Sequence, residues 1–125
     1  MLLTPRQMLA FGELYLKRGT IQGKEILAAS WIDASFVPRG RSRWSEQMYG
    51  YGWWVRPVLG LQTYYAWGYG GQFIVVSPEL ALVVVTTSAT TADTARRDHR
   101  DAVWGVIEQV VGATAAKAGR LERHR

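Results

Sequence analysis

The chain has 125 residues, 48% of them hydrophobic, which is enough for about one packed domain and excludes a disordered chain. It has no cysteine, which excludes disulfides and thiolate chemistry, and its two histidines are too few for a zinc site. The net charge is +5, but four basic residues and one acidic residue from Gly112 onward supply most of the excess. This distribution predicts a solvated basic tail rather than a nucleic-acid interface.

No apolar run is long enough to predict a membrane span. The closest run, 73–87, is interrupted by Pro78 and Glu79. The first six residues lack the charged-then-apolar order of a signal peptide, so the chain itself indicates no compartment.

The first predicted element is a helix that begins at Thr4. Thr4 is suited to the N-cap, Pro5 to the first helical position, and Gln7 to closing a capping box. An apolar face continues at helical spacing to Tyr15, and Gly19 is suited to the stop.

A short connection follows, with a turn predicted at Gln22-Gly23-Lys24. Ser30 is predicted to cap a second, shorter helix, which Pro38 ends. Residues 39–47 are rich in Arg, Ser and Gly and predict an exposed loop.

The next segments are rich in aromatic and β-branched residues, which favours strands. They are Tyr49 to Arg56, Tyr64 to Tyr69, Gln72 to Val76 and Ala81 to Ser88. A turn at Ser77-Pro78-Glu79-Leu80 separates the last two. We expect an antiparallel meander of about three strands.

A last helix is predicted to begin at Asp93 or Thr94, to run to about Val111 and to end at Gly112. The fold class is therefore α+β, with two N-terminal helices and a C-terminal helix packed on the sheet. We divide the chain into a domain over 1–112 and a basic, disordered tail over 113–125.

The predicted strands are unusually apolar, because Glu79 is the only charged residue between Pro57 and Ala92. Strands that do not alternate between apolar and polar residues are covered on both faces. The last helix can cover one face, and the two early helices are short. We therefore expect the chain to be part of a larger fold or to form an oligomer.

Common catalytic motifs are absent from most of the chain. The Gly-x-Ser-x-Gly elbow, the Ser-x-x-Lys pair and the phosphate-binding glycine patterns are all absent, and the acidic residues are scattered. The exception is the aromatic and glycine-rich stretch Tyr64 to Gln72. Its aromatics are predicted mainly as core residues, whereas the glycines of 68–72 indicate close approach by a ligand or another segment.

Several motifs occur together in a recognisable order. They are Leu3-Thr4-Pro5-Arg6-Gln7-Met8, Ser30-Trp31-Ile32, Tyr49-Gly50-Tyr51-Gly52-Trp53-Trp54, Gly68-Tyr69-Gly70-Gly71-Gln72 and Val83-Val84-Val85-Thr86-Thr87-Ser88. This ordered set resembles the C-terminal portion of the serine β-lactamase-like family, which includes class C β-lactamases, D-alanine carboxypeptidases and related esterases. The resemblance extends to about Val111. It implies acyl transfer by a serine nucleophile, without a cofactor or metal.

The resemblance also implies site residues. Tyr69-Gly70-Gly71 is similar to the family's third motif, with Tyr69 in place of Lys or His and Gly70 in place of Thr. Tyr69 and the backbone N–H of Gln72, an oxyanion-hole donor, are the implied catalytic groups. Gly70, Gly71 and Trp67 are the implied substrate-binding residues.

The family's Ser-x-x-Lys motif is absent, and a Tyr-x-Asn motif is impossible because the chain contains no Asn. We therefore expect a C-terminal fragment of a hydrolase that is inactive alone. Its expected partner is the missing N-terminal part or a second copy. The alternative is a non-catalytic binding or assembly module that uses its aromatic side chains to stack on sugar or peptide.

Overall fold

The computed structural model describes residues 3–43, 47–68, 71–89 and 96–119. Within these residues the chain forms three helices and eight strands. They are α1 (Pro5–Leu16), β1 (Thr20–Ile21), β2 (Lys24–Glu25), α2 (Ala29–Ser35), β3 (Gly40–Arg41), β4 (Met48–Tyr49), β5 (Trp54–Val58), β6 (Leu61–Gly68), β7 (Gln72–Ser77), β8 (Leu82–Thr86) and α3 (Arg96–Lys117).

Helix α1 begins where the sequence predicts. The Thr4 hydroxyl accepts a hydrogen bond from the Gln7 backbone N–H at 3.2 Å, and the Gln7 side chain accepts one from the Thr4 N–H at 2.9 Å. The capping box is therefore complete, with Pro5 in the first turn. Met8, Gly12 and Tyr15 form its buried face.

The end of α1 leads into a tight hairpin. Arg18 and Gly19 both have positive φ, at 53° and 91°, and this left-handed pair turns the chain out of the helix. Gln22 and Gly23 also have positive φ and join β1 to β2, so the predicted turn is confirmed as a two-residue hairpin loop.

Helix α2 differs from its prediction at its start. Ala28 is the N-cap and makes no side-chain hydrogen bond, so Ser30 lies inside the helix and does not cap it. Ile32 and Ser35 are buried, and the Ser35 hydroxyl donates to the Trp31 carbonyl at 2.8 Å. Burial of this face, rather than a cap, explains where the helix forms.

The main sheet has six strands in the order β3-β4-β5-β6-β7-β8, and every neighbouring pair is antiparallel. The expected α+β class and meander are confirmed, but the prediction of about three strands was too small. Two differences account for this. The segment from Tyr49 onward divides into β4 and β5, and the Arg-rich loop contributes the short strand β3.

Two turns set the register of the long strands. Leu59 and Gly60 have positive φ and connect β5 to β6 in a two-residue loop, with Val58 paired to Leu61. The predicted turn after β7 is confirmed, because Ala81 donates to the Pro78 carbonyl at 3.1 Å and Ser77 pairs with Leu82.

Strand β7 is covered on both faces, as its unbroken apolar run predicts. Phe73 and Val75 belong to an α3-side core with Trp104, Ile107 and Val111. The alternate positions belong to an α1-side core, which contains Met8, Tyr15, Ile32, Trp53, Ile74 and Val76. The two early helices, although short, therefore contribute to the cover of the second face.

Helix α3 is longer than predicted. It continues through Gly112 to Lys117, and Ala115 is fully buried in the α3-side core. A Cβ on Gly112 would lie 3.2 Å from Leu59 Cδ1, which indicates a packing role rather than a helix stop. The predicted caps, Asp93 and Thr94, lie outside the described residues. No helix in the described part of the chain is both long and apolar enough to cross a membrane.

Candidate functional site

The candidate site lies at the end of the sheet where β6 meets β7. Gly68 pairs with Gln72, so the glycine-rich segment forms the connection between these two strands. Trp67, Gly71 and Gln72 are described in the structure. Tyr69 and Gly70, which the sequence assigns to catalysis and substrate binding, lie outside the described residues.

Gly71 occupies a position that other residues would strain. Its φ is +97°, a left-handed value that favours glycine. A Cβ there would lie 3.0 Å from Ser88 Oγ and 3.5 Å from His99 Cδ2. The residues at the end of β8 and in the first turn of α3 therefore lie against the hairpin at Gly71.

Three hydrogen bonds join the hairpin to the end of β8. The hydroxyl groups of Thr86 and Ser88 donate to the Gly71 carbonyl at 3.0 and 3.4 Å. In return, the Gln72 side-chain amide donates to the Ser88 carbonyl at 2.6 Å. The Gly71–Gln72 peptide is thus held from its carbonyl side.

Helix α3 adds a cation and an imidazole to the same end of the sheet. The guanidinium carbon of Arg100 lies 5.8 Å from the centre of the Trp67 ring, whose residue is 51% exposed. His99 lies beside Gly71. His99 belongs to none of the sequence motifs that indicate a site, so the sequence alone does not predict this neighbour.

The family to which the chain belongs follows from its match to a protein-family model. The β-lactamase family model matches residues 1–107. The chain belongs to the β-lactamase family. No curated protein matches it.

Among solved structures, this β-lactamase-family chain is similar to a putative 6-aminohexanoate-dimer hydrolase from Bacillus anthracis. The TM-score is 0.62 at 22% sequence identity, which shows a common fold. The match covers 88% of this chain but 29% of the hydrolase, so the chain spans less than a third of that protein's length.

Two tyrosines of β6 lie close to the site in sequence. Burial raises the pKa of Tyr65 above its ordinary value, although Arg56 and Arg100 oppose the shift. Burial, with a smaller contribution from Glu79, also raises the pKa of Tyr64. Both phenols are therefore neutral at pH 7 and stay protonated to higher pH than a free tyrosine.

The tryptophans of this β-lactamase-family chain divide into core and surface residues. Trp53 and Trp104 are 2% and 6% exposed, which confirms that part of the aromatic content belongs to the core. Trp31 and Tyr51 are 46% and 45% exposed, and their rings stack at 5.4 Å between centroids. The Arg39 guanidinium lies 4.1 Å from the Tyr51 ring centre.

A cavity of about 450 Å³ opens at the other end of β7. Its lining is mostly apolar and aromatic, with one Arg–Asp ion pair: Tyr15, Leu16, Arg18, Ile32, Asp33, Phe36, Tyr64 and Pro78. Because β7 has six residues, the cavity lies roughly 20 Å from Gly71. It does not join the candidate site.

The described residues contain no group of three or more His, Cys, Asp or Glu side chains placed to hold a metal ion. The polar groups brought together at the candidate site are hydroxyls, amides, an imidazole and a guanidinium. Such groups can orient and stabilise a polarised carbonyl.

Proposed function

We propose that this chain forms the C-terminal part of an acyl hydrolase that cleaves an ester or amide through an acyl-serine intermediate. Its role is to supply one wall of the active site and the backbone N–H of Gln72 as an oxyanion donor. The observation that carries the proposal is the anchored Gly71–Gln72 peptide at the end of a β-lactamase-family sheet.

Tyr69 and Gly70 complete this proposed wall. Tyr69 would orient the substrate by donating a hydrogen bond, since a phenol is neutral at pH 7. Gly70 and Gly71 would form the backbone of this wall, and the exposed Trp67 would contact the substrate. Removing one oxyanion donor typically lowers the rate by about 10²–10³.

The chain alone is proposed to be inactive, because it has no Ser-x-x-Lys pair and no Asn. The proposed partner is the rest of the same fold, as the limited coverage of the similar hydrolase suggests. Strand β8 supports this. It ends the described sheet, and its residues Leu82 to Thr86 are apolar except for one threonine. An apolar edge strand of this kind favours pairing with another strand. A second copy of the chain is the other proposed partner.

The test begins with the natural DNA upstream of Met1. We expect the reading frame to continue and to encode Ser-x-x-Lys followed by a Tyr-x-Asn-like motif. The extended protein should then hydrolyse a nitrophenyl acyl ester, whereas its nucleophile-to-Ala variant should not. An in-frame stop codon just before Met1, or an inert extended protein, would contradict the proposal.

A second candidate is a non-catalytic binding module. The observation that favours it is the exposed Trp31–Tyr51 stack beside Arg39. Exposed aromatic faces of this kind can stack on the apolar face of a sugar or on a peptide side chain. Saturable quenching of tryptophan fluorescence by oligosaccharides or peptides, lost in Trp31→Ala but kept in Trp67→Ala, would support it. No quenching with any of them would exclude this second function.

A further inference from the structure

One peptide group at the candidate site is held by two different hydroxyls. The Gly71 carbonyl and the Gln72 N–H belong to the same planar peptide unit and point in opposite directions. Any group that fixes the carbonyl therefore also fixes the direction of the N–H. The groups that fix it are the hydroxyls of Thr86 and Ser88.

The two hydroxyls contribute unequally. The bond from Thr86 is 3.0 Å long, whereas that from Ser88 is 3.4 Å, beyond the usual range for O–H···O hydrogen bonds. Thr86 is β-branched and therefore stiff at χ1, and it lies in β8 opposite Phe73. Thr86 is thus the main donor and Ser88 the weaker one.

A third hydrogen bond also connects residues 71–72 with residues 86–88, in the opposite direction. The Gln72 side chain donates to the Ser88 carbonyl at 2.6 Å, so residues 71–72 and 86–88 are linked in both directions. Glycine at position 71 is required for this approach, because a Cβ would press against Ser88 Oγ at 3.0 Å. The peptide cannot rotate without breaking the hydrogen bonds to its carbonyl oxygen.

We propose that Thr86, assisted by Ser88, is a positioning residue that orients and polarises the Gly71–Gln72 peptide so that the Gln72 N–H is a strong, fixed donor to the substrate oxyanion. The inference rests on the proposed function for the role of that N–H. Neither hydroxyl contacts the reacting atoms in this account. Both act through the peptide, because hydrogen bonds in a chain strengthen one another.

A purely structural tie between β8 and the hairpin is the competing explanation. The two explanations differ in what a Thr86→Val substitution changes. Under either explanation the lost hydrogen bond changes the Gly71 carbonyl signal. A positioning role predicts in addition that the Gln72 amide signal broadens and that kcat falls, whereas a structural tie predicts only a further change in stability.

Three variants separate these effects. Thr86→Val removes the hydroxyl at nearly constant volume. Thr86→Ser retains it and should rescue the signals. Thr87→Val makes the same substitution at the adjacent exposed position and serves as the matched control. Ser88→Ala tests the weaker donor and should have a smaller effect than Thr86→Val.

The measurement is NMR of the isotope-labelled chain. In Thr86→Val, we expect the Gly71 carbonyl ¹³C and the Gln72 amide ¹⁵N to move upfield, and the Gln72 signal to broaden as the peptide samples other orientations. Thr86→Ser and Thr87→Val should match the wild type. An unchanged Gln72 signal in a folded Thr86→Val chain would overturn the proposal. If Thr86→Val does not fold, an unchanged Gln72 signal in Ser88→Ala would do so.

A kinetic readout in the upstream-extended protein tests the catalytic part. Thr86→Val should lower kcat about tenfold with KM unchanged, less than the loss from removing a donor outright. Equal kcat values for Thr86→Val and Thr87→Val in an active protein would show that the peptide does not serve the reaction. If every extended protein is inert, the proposed function fails, while the NMR result still decides whether Thr86 positions the peptide.

Discussion

Gly12 of α1 lies directly against Val83 of β8, so close that the helix has no room for a side chain there. A Cβ on Gly12 would lie 2.6 Å from Val83 Cγ1 and 2.9 Å from Ile74 Cγ2. Both neighbours are short β-branched side chains on a sheet, and neither can rotate away freely. This close approach allows α1 to cover the second face of the strands that position the site.

A Gly12→Ala substitution tests this contact. Alanine favours a helix interior by about 0.5–1 kcal/mol, but overpacking a core costs about 1–3 kcal/mol. We therefore expect a net loss of roughly 1–2 kcal/mol in the free energy of unfolding, measured with urea. Gly105 of α3 is the control, because a Cβ there meets nothing within 4 Å, and Gly105→Ala should stabilise the chain. Stabilisation by both substitutions would contradict the packing described.

Gly71 can be compared with Gly23, since both have positive φ. Alanine at either position costs about 1–2 kcal/mol of backbone strain. Only position 71 adds a tight contact, with Ser88, because a Cβ on Gly23 meets nothing within 4 Å. We expect Gly71→Ala to be more destabilising than Gly23→Ala by about 1 kcal/mol in urea unfolding. Equal losses would show that the hairpin and the end of β8 are not in contact.

The extension of α3 beyond Gly112 can be tested at adjacent alanines. Ala115 is buried in the α3-side core, whereas Ala116 is exposed. We expect Ala115→Leu to reduce the free energy of unfolding by about 1–3 kcal/mol through overpacking, and Ala116→Leu to change it little. If the segment were a disordered tail, both variants would behave like the wild type in thermal or urea unfolding.

Stability should fall at high pH because of Tyr65. Burial raises the pKa of Tyr65, so the folded chain holds the phenolic proton more tightly than the unfolded chain. The resulting stabilisation is complete below about pH 10 and is lost as the pH rises through the folded pKa. In urea unfolding between pH 8 and 11, Tyr65→Phe should lose less stability than the wild type.

Part of the stability loss at high pH should persist in Tyr65→Phe, because the pKa of Tyr64 is also raised. A Tyr65→Phe profile identical to that of the wild type would show that Tyr65 is not responsible.

The features predicted correctly from the sequence are those set by neighbouring residues. The capping box of Thr4 and Gln7 spans four residues, and the turns at Gln22-Gly23 and Pro78 are equally local. Their hydrogen bonds and φ preferences act whatever the rest of the chain does. The unbroken apolar run of β7 is likewise a local feature, and it correctly predicted that both faces of the strand are buried.

The incorrect predictions involve tertiary contacts. Gly112 has the local character of a helix stop, but burial of Ala115 outweighs it and the helix continues. Ser30 is a good capping residue, yet α2 has its N-cap at Ala28 and buries Ile32. In both cases the free energy gained by burying a side chain against distant strands exceeds a local capping or helix-stop preference of about 1 kcal/mol.

The candidate site was predicted only in part for the same reason. Resemblance to a family indicated Gly71 and Gln72, which lie within one motif, and Trp67, which immediately precedes it. Ser88 and His99 are 17 and 28 residues beyond Gly71 in sequence. They reach it through the register of β7 with β8 and the return of α3 across the sheet, which no local pattern specifies.

The most direct test of the central claim, that this chain supplies a wall of an acyl-hydrolase site without a nucleophile, is a burst measurement on the chain alone. A nitrophenyl acyl ester in excess would be mixed with the purified chain and with Ser88→Ala. Ser88 is the informative position, because Ser88 and His99 both lie against Gly71. The account predicts no burst of nitrophenolate and a rate equal to that in buffer for both proteins. A stoichiometric burst that Ser88→Ala abolishes would contradict it, since the chain would then carry its own nucleophile.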